Sequence, residues 1–129
     1  MRTLVLLLTA AAAIDCWACM VSSGDVIARD PIQAMERADV VYFATVEALT
    51  PVGEWSVRAS VVVHEIWKGA PSSHLYNDLS WTCSRSLEKG RTYLVYASRR
   101  SDGELQVIDG FLGGSAAGRA VELLRSQSN

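Results

Sequence analysis

Cysteine, histidine and positive charge are all scarce in this sequence, and each shortage narrows what the chain can do. Its 129 residues hold three cysteines and two histidines. Three cysteines cannot all pair within one chain, so one is free, bridges to another molecule or binds something. A structural zinc site needs four ligands at matched spacing. Cys16 and Cys19 make one C-x-x-C pair, but Cys83, His64 and His74 supply no second close-spaced pair. Lys+Arg number 12 against 14 Asp+Glu, with no basic stripe interleaved with aromatics, so nucleic acid is not an expected partner. No G-x-S-x-G nucleophile elbow occurs. The glycine-rich "GFLGGS" at 110–115 has no lysine, and a phosphate loop also needs a strand before it and a helix after it. Glu47, Glu65, Asp78 and Asp109 are scattered at strand ends and turns and read as a solvated rim. The expectation is a protein that is not an enzyme, with no cofactor and no intrinsic metal.

A run of the roughly 20 apolar residues that would span a bilayer as a helix is also missing. What stands in its place is "MRTLVLLLTAAAAI": Arg2, an apolar stretch over 4–8, then small residues over 10–13. That is the layout of a secretory signal peptide, so residues 1–13 are expected to be removed and 14–129 to form one domain. Loss of Arg2 leaves the chain one unit more negative than its net −2. Ile14 and Asp15 do not supply the small residues of a lipobox before Cys16. The chain is expected to be secreted or periplasmic, with no stable membrane span after cleavage. In an oxidising compartment its cysteines are expected to pair. A thioredoxin-like use of "CWAC" would require a helix following a strand in a βαβ setting. Here the pair precedes every strand signal, so a C-x-x-C redox protein stands only as an alternative.

The rest of the chain reads as strands. Asp30 before Pro31 is a helix start, and Ile32, Met35 and Ala38 continue it over 31–38. "DVVYFATVEAL" is a β-branched and aromatic run, read as a strand buried on much of both sides. "WSVRASVVVHEIW" alternates, with Trp55, Val57, Ala59, Val61 and Val63 on one face and Ser56, Arg58, Ser60 and His64 on the other. A hairpin joining these two turns at 51–54. Further strands are expected over 74–79, in "RTYLVYAS" and in "ELQVID", which "GFLGG" should break. "SAAGRAVELLRS" predicts a closing helix whose packed face is Ala116, Ala120, Leu123 and Leu124. His64 and His74 read as solvated, Trp55 and Trp67 as core or strand-end packing, and Trp81 as exposed. Five strands between two helices predict a small, mostly β, curled antiparallel barrel or sandwich.

Taken in order, "CWAC", "ADVVYFATVEAL", "VVVHEIWKGAP", "WTCSRSLEKGRTYLVYAS" and "DGELQV" resemble the bacterial branch of the tissue inhibitor of metalloproteinases (TIMP) and netrin-like domain family. The most specific pieces are "IWKG" closing a long strand and "TCSRSLEKGRTYLVYA". The resemblance covers nearly all of residues 16–125. It implies a five-stranded OB-fold barrel with flanking helices, a protein-interaction module acting on a protein partner, and a disulfide to Cys83 from Cys16, with Cys19 as the alternative partner. It leaves Cys19 unpaired or intermolecular, because "QVIDGFLGGS" lacks the cysteine that the family carries there. The family also has C-x-C where this chain has C-x-x-C. Animal members chelate a protease zinc through the free amine and carbonyl of an N-terminal cysteine. Carried over, that makes Cys16, Trp17, Trp81, Thr82 and Ser84 candidate contacts with a partner, a zinc metalloproteinase in the narrower case. The carry-over requires Cys16 to be the first residue of the mature chain, whereas cleavage after Ala13 leaves Ile14 and Asp15 ahead of it.

Overall fold

A computed structural model describes residues 30–80 and 84–128. The first helix, α1 (Pro31–Arg37), starts as its sequence dictates: the Asp30 carboxylate accepts from the Gln33 N–H at 2.9 Å, and Pro31 sits in the first turn. Seven residues are too few for a helix to persist alone. It is held by burial of Pro31 and Ala34, by the Tyr96 hydroxyl donating to the Pro31 carbonyl at 2.6 Å, and by Lys68 Nζ donating to the Met35 carbonyl at 2.9 Å.

Five strands follow: β1 (Val40–Val52), β2 (Ser56–Lys68), β3 (His74–Asp78), β4 (Thr92–Arg99) and β5 (Leu105–Gly113). They close into a barrel in the order β1-β2-β3-β5-β4, with β1 and β4 completing the ring. All neighbours are antiparallel except β3 and β5, which meet in parallel at Tyr76 and Gln106. This order and the single parallel contact define the five-stranded OB fold. The closing helix α2 (Gly114–Ser128) lies against β4, β5 and α1. The mostly β barrel between two helices is the architecture expected from the sequence.

The hairpin and the last strand depart in detail from that expectation. The β1–β2 turn occupies 53–55, and Pro51 lies within β1, opposite Val57. Beyond Thr45, β1 has no ladder partner but β2, so the N–H that proline lacks is not missed there. Likewise, "GFLGG" does not end β5. The register slips between the Val95–Phe111 and Ala97–Val107 pairs, and Gly110, at φ +91°, takes up the excess chain. At Gly69, with φ +71°, a Cβ would fall on the Asp39 carbonyl, so only glycine fits where β2 turns past the end of α1.

Two apolar clusters share the barrel wall. The inner one joins Val40, Tyr42, Ala44 and Val46 of β1 to Tyr93, Val95 and Ala97 of β4, with Ala59, Leu75, Leu105 and Phe111. The outer one joins Val41 of β1 and Leu94 and Tyr96 of β4 to Ala34, Ala117, Ala120, Val121 and Leu124 of the helices. The packed face of α2 is therefore 117, 120, 121 and 124. Leu123, expected inside, is 40% exposed. Glu65 on β2 ties to Arg125 on α2 through paired contacts of 2.7–3.2 Å, and these hold its carboxyl below the usual range.

Two buried tyrosines make opposite predictions. Burial raises the phenol pKa of both, but the Tyr96 hydroxyl serves the Pro31 carbonyl while that of Tyr42 has no partner among the described residues. Tyr96→Phe removes a buried hydrogen bond that ties α1 to β4 and should lower stability by about 0.5–1.5 kcal/mol. Tyr42→Phe removes an unsatisfied group and should be neutral or stabilising. Urea denaturation of the two variants beside the parent checks both.

Candidate functional site

Of the contacts suggested by the sequence, Cys16, Trp17, Cys19, Trp81, Thr82 and Cys83 lie outside the described residues, as does the expected signal peptide. Ser84 is described. It is half-buried in the connection between β3 and β4. That connection is pinned at several points. Asn77, a buried polar side chain on β3, donates to the Arg85 carbonyl at 2.8 Å. The Arg85 guanidinium donates to the Phe111 carbonyl and stands 4.7 Å from the centroid of that ring. Leu87 plugs the inner core, and the Glu88 N–H donates to the Tyr93 hydroxyl at 3.0 Å. Gly90 and Arg91 then bond to the backbone of Val46. Ser84 is thus carried on a loop with several fixed anchors.

Across from this loop stands the β1–β2 hairpin. Its tip is tied to β3 by the Leu79 N–H donating to the Trp55 carbonyl at 2.6 Å. The Trp55 side chain is nonetheless out in solvent, with the residue 61% exposed, Val52 43% and Leu49 36%. This corrects the expectation that Trp55 packs: the turn at 53–55 lifts it off the sheet face that carries Ala59 and Val61. Trp67 does pack, against the outer cluster. Between hairpin and loop lies an apolar slot of about 200 Å³ lined by Leu49, Pro51, Val57, Leu79 and Leu87. Small-molecule sites typically enclose roughly 300–1,000 Å³, so the slot suits one inserted side chain. Exposed apolar residues on one hairpin, beside a slot that one of them lines, are surface features of a protein contact.

Among the described residues no comparable arrangement for chemistry is found. His64 is exposed and its Nε2 lies 2.7 Å from Thr45 Oγ1, which is 2.7 Å from Thr92 Oγ1. This is a cross-strand polar chain with no carboxylate bonded to the imidazole among the described residues. His74 is half-buried at the start of β3 beside Ser73. No cluster of three or more His, Cys, Asp or Glu side chains that could hold a metal exists among the described residues. The glycine-rich stretch does join a strand to a helix. However, nearby Arg91 is engaged by Glu88 at 3.0 Å and Arg85 by Phe111. Among the described residues no helix is long and apolar enough to cross a membrane.

No protein-family model matches the chain, and no curated protein matches it either. The class of the protein therefore follows from its topology, an OB-fold barrel, and its function has to be argued from its surface.

The pinned loop gives a direct test. Asn77→Ala should lower stability by about 1–3 kcal/mol by stranding the Arg85 carbonyl. It should also speed hydrogen exchange over 84–90 while the amides of β1 and β4 stay protected. Amide exchange followed by NMR or mass spectrometry reads both effects.

Proposed function

We propose that this protein is an exported, non-enzymatic protein-interaction module of the TIMP and netrin-like type, and that its partner docks on the hairpin end of the barrel. The observation that supports this reading is the exposed apolar set Leu49, Val52 and Trp55 on the β1–β2 hairpin, with Leu49 lining an apolar slot between the hairpin and the anchored loop that carries Ser84. The resemblance places Trp81, Thr82 and Cys83 in the same loop. A Cys16–Cys83 disulfide would bring Cys16 and Trp17 to this end of the barrel as well. In the chain-entropy account, closing so long a loop contributes roughly 3–5 kcal/mol. Cys19 is left for an intermolecular bond or as a free thiol.

The narrower form of this reading is zinc chelation in a metalloproteinase by Cys16. It holds only if Cys16 opens the mature chain, since a catalytic zinc offers its open position to a free amine and carbonyl together. Intact mass of the exported protein, alkylated with and without reduction and followed by peptide mapping, separates the forms. A chain beginning at Cys16 and bridged to Cys83 supports the inhibitor. A chain beginning at Ile14 removes chelation and leaves the general module. A Cys16–Cys19 bridge would overturn the family reading in favour of redox chemistry.

The docking surface itself is tested by a photo-crosslinking residue placed at 52 or 55, with exposed position 122 on α2 as the control. The expected result is a discrete crosslinked species from the hairpin positions alone. Equal crosslinking from all three positions contradicts the assignment.

A further inference from the structure

The outer cluster places both helices over β1, β4 and β5. The outward side of β1, β2, β3 and β5 beyond it has no helix over it among the described residues. Strand register sets Thr50, Arg58, Tyr76 and Gln106 side by side across this face. The Arg58 guanidinium carbon lies 6.0 Å from the Tyr76 ring centroid, and that of Arg100, from the β4–β5 turn, lies 4.4 Å from the same centroid. Two cations therefore converge on one aromatic ring, which attracts each of them while they repel one another.

The two arginines are not equally compensated. Arg100 has Asp102 at 3.4 Å, on the surface. Among the described residues Arg58 forms no ion pair, and its buried Nε–H has no acceptor. A guanidinium cannot shed its proton to relieve this. Arg58 is only half-buried, so an anion supplied from outside can pair with the accessible part of its guanidinium and compensate a charge that no described residue compensates. Other charged or titratable groups on or beside this face are Asp78, whose carboxylate accepts from the Ser80 N–H at 2.9 Å, together with His74 and Glu104.

We propose that Arg58, Tyr76 and Arg100 form a binding site for a carboxylate side chain in an acidic segment of a protein partner. A carboxylate matches the guanidinium fork and forms strong, charge-assisted hydrogen bonds with it. The neighbouring Asp78, Asp102 and Glu104, on a chain of net charge −2, oppose every long polyanion, a nucleic acid above all, so the cluster takes a single carboxylate from a short segment. Only in taking the anion from a protein does the site rest on the interaction-module reading. None of its three side chains belongs to the hairpin set of Leu49, Val52 and Trp55, so Trp55→Ala separates failure of one from failure of the other.

The test uses the exported chain, labelled with nitrogen-15 and titrated with hexaglutamate at low ionic strength while the arginine Nε–H resonances are followed. The Arg58 and Arg100 resonances should shift saturably, and less so as salt is added. Arg58→Gln should raise the Kd roughly tenfold or more, while Trp55→Ala should leave the titration unchanged. Arg100→Gln, at an exposed turn, is the second variant should Arg58→Gln disturb the backbone spectrum, and it should weaken binding likewise. Absence of a shift at Arg58 would overturn the proposal, as would shifts that survive both substitutions. So would tighter binding of single-stranded oligothymidylate than of hexaglutamate at the same cluster.

Discussion

Strands β1 and β4 have no solvent side where they pair, and the rest of the molecule is arranged around that fact. Val40, Tyr42, Ala44 and Val46 point into the barrel, while Val41 and Phe43 between them point out under the helices. Tyr93, Val95 and Ala97 of β4 point inward in the same way, with Leu94 and Tyr96 outward. Fully burying an aliphatic side chain contributes roughly 1.5–3 kcal/mol, so this shared wall stabilises both clusters at once. Among the described residues neither helix has another apolar surface to rest on: α1 is seven residues long, and α2 buries only the stripe 117, 120, 121 and 124.

The same arrangement decides what stays open. Both helices are committed to the β1–β4–β5 side, so among the described residues the far half of β1, the hairpin tip and the outward side of β2 and β3 have no helical cover. On the hairpin end the uncovered groups are apolar, Leu49, Val52 and Trp55. On the β2–β3 face they are polar and cationic, centred on Tyr76. An OB barrel presents ligands with one face and its loops. Here the apolar end and the cationic face adjoin along β2, where Arg58 stands two residues from Ser56 at the start of the strand.

Much of the architecture was legible because it is local. Asp30-Pro31 is a helix start in any context, and the β-branched run of β1 admits one reading, buried on both faces. What could not be read depends on neighbours distant in sequence. Pro51 looks like a turn residue, yet it sits in β1 because β4 stops pairing at Thr45. Gly110 looks like a strand breaker, yet β5 continues because β4 accommodates a register slip at Val95–Ala97. Trp55 falls in phase with Val57 and Ala59, and only the placement of the turn at 53–55 removes it from that face. Leu123 and Val121 differ by half a turn of helix, and periodicity alone does not say which faces Leu94 and Tyr96. Of the proposed surface, the family resemblance suggests only the β3–β4 loop. The hairpin contribution and the Arg58–Tyr76–Arg100 cluster arise from register across strands, which no single segment encodes.

Native-state hydrogen exchange over a series of low urea concentrations measures the shared wall directly. If β1 and β4 serve both clusters, the amides of Ala120 and Val121 in α2 should merge with those of Val41 to Ala44 and Leu94 to Tyr96 into one opening of the same free energy. The hairpin amides over 50–58 would open earlier and separately. An α2 that exchanges in its own low-energy step, with the β1 and β4 amides still protected, would show that the barrel stands without its outer layer and would contradict this account.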